Sequence, residues 1–170
     1  IIMDYSKFTQ KSMEAIQESQ NLALEMGNPE LMDIHLLYGL TLGKEGLISR
    51  VLSIMGVQVD SFRSAIIKSI EKLPKQSGGS IYPNRTYTKI LMDSEGEANN
   101  FKDEYISVEH IFLSLLSNKG SSFTKSLLEE YGVSREKFLQ ALMKVRGSQT
   151  ITSDKPEETY EALNRFGRDL

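Results

Sequence analysis

Apolar residues recur along most of this 170-residue chain three or four positions apart, the spacing that lines one face of an α-helix. Met13, Ile16, Leu22 or Ala23, and Met26 follow it in a first helix expected from about Thr9 to Met26. Gly27-Asn28-Pro29 ends that helix. A second helix holds Ile34, Leu37 and Leu40 and runs out near Gly43. A third carries Leu47, Ile48, Val51, Leu52 and Met55 and closes on Gly56, where a left-handed glycine suits a helix end. A fourth uses Phe62, Ile66, Ile67 and Ile70 and stops before Pro74. No segment alternates with period two for long enough to make a strand, so the fold class expected is all-α.

The same pattern then returns. Leu52-x3-Gly56-Val57-x4-Phe62-x2-Ala65 recurs residue for residue as Leu128-x3-Gly132-Val133-x4-Phe138-x2-Ala141. At residue frequencies of roughly 5–10%, four identities after an aligned leucine arise by accident about once in ten thousand to once in a hundred thousand tries. With one gap the match extends backwards: His35 pairs with His110, Leu40 with Leu115, Leu31 with Ile106 and Ala23 with Ala98. The pattern predicts a domain over residues 1–147, made of repeat one (6–73), a Pro- and Gly-bearing linker (74–80) and repeat two (81–147). Each repeat reads as four helices. In repeat two, Pro83 suits the first turn of the opening helix, and Ser107 and Ser134 sit where N-caps belong. Residues 148–155 form a polar break, and Tyr160, Leu163 and Phe166 share a face of a last short helix.

Composition narrows the function. Apolar residues make up 39% and charged residues 25%, as in ordinary globular proteins, and the net charge of −3 is spread without a basic stripe. Nucleic acid is therefore not an expected partner. The absence of cysteine removes disulfides, thiolate metal sites and thiol nucleophiles together. No apolar run approaches the roughly 18 residues of a membrane span, so no membrane role is expected. The start, Ile1-Ile2-Met3, does not read as a signal peptide. Met3 is the expected native start, and the expected location is cytoplasmic.

Catalytic patterns are missing. Neither Gly43-Lys44-Glu45-Gly46 nor Gly78-Gly79-Ser80 matches the phosphate loop G-x-x-x-x-G-K-S/T, and there is no nucleophile elbow or H-E-x-x-H. His35 and His110 have no second ligand at metal-binding spacing, so capping or packing is expected of them, with no metal and no cofactor in this chain. Glu129-Glu130 and Glu157-Glu158 are adjacent residues that point about 100° apart on a helix, which suits solvated surface better than a catalytic dyad. The methionines read mainly as core filler, with Met92 a candidate groove residue.

Phe101-Lys102-Asp103-Glu104-Tyr105-Ile106-Ser107-Val108-Glu109-His110-Ile111-Phe112-Leu113 resembles the signature G-D-x-Y/F-I-S/G-x-E-H-L/I of the Clp N-terminal repeat, with Lys102 in the place of the glycine. The resemblance spans both repeats. Ile70-Glu71-Lys72-Leu73-Pro74 and the stretch from Pro156 to Leu170 are similar to ClpB-type AAA+ disaggregases more than to the protease-linked ClpA and ClpC. The resemblance implies a substrate-recognition domain that binds exposed apolar segments of unfolded or aggregated polypeptides. It would act in the stress response and protein refolding, delivering its catch to the pore of a homohexamer working with the DnaK chaperone system. ATP and magnesium would belong to ATPase modules of the parent, and residues 148–170 would lead toward the first of them. The isolated fragment is expected to be monomeric. The alternative implied is an adaptor-docking domain of a ClpC- or ClpA-like unfoldase. Carried over from the family, the peptide site is Thr9, Asp103 and Glu109, with an apolar wall at Leu91 and Met92. Asp93 and Glu97 fall where relatives carry leucine and, four apart, are expected to project together. Ser107 and Glu109 have no counterparts in Met32-Asp33-Ile34-His35, which implies one polar groove, mainly in repeat two.

Overall fold

A computed structural model of the chain describes residues 5–76, 78–118 and 120–147; the helix expected around Tyr160 lies outside them. Repeat one supplies α1 (Gln10–Glu25), α2 (Asp33–Leu40), α3 (Leu47–Ile54) and α4 (Val59–Glu71). Repeat two supplies α5 (Arg85–Asn100), α6 (Val108–Asn118), α7 (Ser122–Glu130) and α8 (Arg135–Arg146). The fold is mostly helical, with only two-residue strands, β1 (Glu30–Leu31) and β2 (Tyr82–Pro83), among the described residues.

Equivalent positions in α1 and α5 do equivalent jobs. Thr9 caps α1 by accepting from the Ser12 N–H at 3.1 Å, and Asn84, 75 residues on, caps α5 by accepting from the Tyr87 N–H at 2.8 Å. Each satisfies a helix-end donor that has no partner within its helix. Ser19 and Ser94 donate back to the carbonyls of Ile16 and Leu91. Pro83 is not in the first helical turn: it ends β2, and Asn84 takes the capping position.

The repeats are joined by exchanged backbone bonds. Leu31 pairs with Pro83, with the Asn84 N–H donating to the Leu31 carbonyl at 2.9 Å. The mirror contact pairs Ile106 with Phe8, with the Thr9 N–H donating to the Ile106 carbonyl at 2.9 Å. Each repeat's opening helix is thus fixed against the other repeat. These pairings are too short to leave an alternating pattern in the sequence.

One apolar cluster runs through both halves. α1 packs on α2 and α5 on α6, while α3 lies on α8 and α4 on α7, so neither repeat encloses its own core. Phe62, Phe112 and Phe138 are fully buried. Phe112 and Phe138 pack with ring centroids 4.5 Å apart, and Phe62 meets Tyr131 of the other repeat edge-on at 5.1 Å.

Candidate functional site

The histidines of the two repeats are local backbone anchors. His35 Nδ1 accepts from the Met32 N–H and His110 Nδ1 from the Ser107 N–H, both at 2.9 Å. That fixes the ring proton on Nε2, which donates to Asn28 Oδ1 at 3.0 Å in repeat one and to Asp103 Oδ2 at 2.7 Å in repeat two. Burial pushes the His35 pKa down to about 4. No group of metal-ligating side chains forms among the described residues.

Beyond the histidines, the repeats diverge in chemistry. Arg146 closes α8 with its side chain buried, bonding Asp103 Oδ1 at 2.5 Å and Glu109 Oε2 at 3.2 Å. Its guanidinium lies over the Phe101 ring, 4.6 Å from the centroid. The Ser107 hydroxyl donates to the other oxygen of Glu109. In repeat one the equivalents of Asp103, Glu109 and Arg146 are Asn28, Ile34 and Ile70. A buried ion cluster in one half therefore stands where the other half has one amide and two aliphatic side chains.

This cluster takes up two of the residues expected in the peptide site. Asp103 and Glu109 do not face solvent, because Arg146 and His110 occupy their carboxylates. Thr9 is buried, its hydroxyl spent on the α1 cap and on Ser12. Leu91 belongs to the core, and Met92 alone of the five stands out, 42% exposed on α5. Asp93 and Glu97 each meet a cation. Asp93 bonds Lys89 at 2.7 Å, which holds its carboxyl below the usual range. Glu97 is tucked against Arg135 by two bonds of 2.7 and 2.8 Å.

An open apolar cleft lies on the repeat-one side, with Val108, the chain neighbour of Glu109, in its wall. It holds about 400 Å³ and is walled by Ala15 of α1, Leu40 of α2, Leu42 of the α2–α3 loop, Leu47 and Ile48 of α3, and Val108 of α6. Leu42 is 41% exposed at its mouth. Lys11, Glu14, Lys44 and Glu45 line the rim, two cations and two anions, and Lys11 and Glu14 pair at 3.8 Å. Such a pocket suits an uncharged apolar guest held by contact area, with little electrostatic selection.

Two glycines shape it. A Cβ on Gly39 would sit 2.3 Å from the Ala15 carbonyl oxygen, so only glycine lets α2 approach α1 this closely. A Cβ on Gly46 would fall 2.7 Å from the Leu42 carbonyl oxygen inside the loop's tight turn. Sequence reasoning weighs the polar signature residues and misses Leu42, Val108 and Arg146. Arg146 was detectable: aligned on the repeat, positions 28/103, 34/109 and 70/146 all gain a charge together in repeat two.

The pattern of the Clp repeat (R) N-terminal domain matches residues 7–131. The chain belongs to the Clp repeat family. This Clp repeat domain is 41% identical to the chaperone ClpB of Nitratidesulfovibrio vulgaris over 99% of its own length, and it spans 20% of that protein. Its fold is similar to the Hsp104 N-terminal domain from Candida albicans, with a TM-score of 0.77 at 23% identity, covering 89% of this chain and 99% of that one. It also resembles a ClpV N-domain in complex with a VipB peptide, with a TM-score of 0.68 at 19% identity, covering 89% and 97% of the two chains.

Proposed function

We propose that this Clp repeat domain is the substrate-recognition module of an ATP-dependent disaggregase, holding exposed apolar segments of unfolded or aggregated proteins for delivery to the pore of a hexameric parent. The observation that carries the reading is the cleft of about 400 Å³ between α1, the α2–α3 loop and Val108, apolar in its walls and balanced in charge at its rim. Segments exposed on unfolding are apolar and varied in sequence. A receptor for them needs contact area without a demanding set of hydrogen bonds.

The similarity to ClpB adds support, as does a related fold that takes a peptide. In this reading ATP and magnesium act in the parent's ATPase modules, with the DnaK system as partner. Six weak modules on one ring would offset low single-site affinity by raising local concentration.

Fluorescence anisotropy of a carboxymethylated, permanently unfolded protein against the isolated domain tests the proposal. The expected result is saturable binding of the unfolded form and none of the same protein in its native fold. Binding of a folded adaptor protein with no affinity for the unfolded probe would move the reading to adaptor docking.

A further inference from the structure

We infer that Val108 is the residue that opens the cleft and sets its preference for apolar side chains, where Asp33, in the matching place of repeat one, instead binds the loop that faces it. The inference rests on the cleft being the polypeptide site.

The two positions are related by the repeat: each is the first residue of the helix that follows a histidine-anchored turn, α2 for Asp33 and α6 for Val108. Each faces the N-cap of a helix in the opposite repeat. Asp33 Oδ2 accepts the Ser121 backbone N–H at 2.9 Å and its hydroxyl at 3.2 Å, which draws the start of α7 onto α2. The contact is close enough that a Cβ on Gly120 would lie 2.4 Å from that oxygen. Asn118 adds a second tie, donating to the Ser114 carbonyl at 2.9 Å and to Asp93 at 3.3 Å. The start of α7 is therefore tied to α2 and the end of α6 to α5.

On the other side, Gly46 is the equivalent of Ser121 and Gly43 of Asn118. The isopropyl side chain of Val108 cannot accept a hydrogen bond. The Gly46 N–H turns instead to the Gly43 carbonyl at 3.3 Å, within its own loop. Gly43 has no side chain with which to reach α1. The cleft is left between this loop and Val108. A carboxylate at 108 would repel apolar guests and would offer the Gly46 N–H the partner that Ser121 finds in Asp33. The rim charges cancel in number, which leaves Val108 and its apolar neighbours to select a leucine- or phenylalanine-like side chain.

The test compares wild type, Val108→Asp, Val108→Phe and Val108→Ala. The probe is a dye-labelled, uncharged peptide with a Leu-Val-Phe-Leu centre, read by anisotropy, with amide shifts followed by NMR. Wild type should bind with shifts at Ala15, Leu42, Gly46 and Val108. Val108→Asp should close the cleft and Val108→Phe should fill it, each weakening binding about tenfold or more, while Val108→Ala stays within about threefold. Thermal melts identify any variant that has unfolded, and Val108→Phe tests the inference without adding charge. Wild-type binding that Val108→Phe leaves unchanged, or shifts centred on Met92, would overturn the inference and leave the polypeptide-binding proposal standing. No binding of the peptide or of the unfolded protein by wild type would overturn both.

Discussion

Arg146, Asp103 and Glu109 form a buried unit whose parts cannot be removed singly. Arg146→Met leaves two carboxylates in an apolar setting with their cation gone, a loss expected to cost about 3–5 kcal/mol. Repeat one supplies the apolar version of the same site, so Asp103→Asn, Glu109→Ile and Arg146→Ile together should recover most of that loss. Urea denaturation of the single and triple variants measures both. Lys102 has φ of 60°, the left-handed conformation that its counterpart Gly27 adopts with φ of 72°. Lys102→Gly should therefore stabilise by about 1 kcal/mol, seen as a Tm rise of roughly 2–4 °C. His35 titrates at about 4 when folded, against 6.5 for the free side chain. Between those values the unfolded chain binds the extra proton. Its contribution is full above pH 6.5 and is lost as pH falls toward 4, by about 3 kcal/mol in all. The difference in urea midpoint between wild type and His35→Gln, followed from pH 7 to 4.5, isolates this share.

Helix boundaries were largely legible because apolar spacing and caps agree: Ser134 caps where the sequence places it, and α1 begins just after Thr9. The misplaced element was Pro83, which lies in a two-residue pairing that local pattern does not encode. The candidate site was less legible. Asp103 and Glu109 carry the chemistry expected of a polar groove, and the partner that removes them from solvent, Arg146, lies 43 and 37 residues away. The cleft itself depends on helix approach. Gly39→Ala forces the α1–α2 contact apart against backbone, with an expected cost of about 1–3 kcal/mol and a distorted cleft. Gly96→Ala on the exposed face of α5 meets nothing within 4 Å and should stabilise by about 0.5–1 kcal/mol. Paired thermal melts of the two variants check the opposite signs.

At the scale of the molecule, duplication builds one core from two repeats whose opening helices are each tied to the other repeat by backbone pairings at Leu31 with Pro83 and at Phe8 with Ile106. Their divergence then separates roles. Repeat two carries the ion cluster that fixes the end of α8, and repeat one carries most of the cleft, with Val108 as its wall from the other half. Such a division gives a nearly twofold scaffold an asymmetric face. The most direct check of the central claim is site-specific photocrosslinking to a carboxymethylated unfolded protein, with a benzophenone amino acid replacing either Leu42 at the cleft mouth or Met92 on α5. The account predicts efficient crosslinks from position 42 that excess unlabelled probe suppresses, and few from position 92. Efficient crosslinks from position 92 with none from 42 would contradict it.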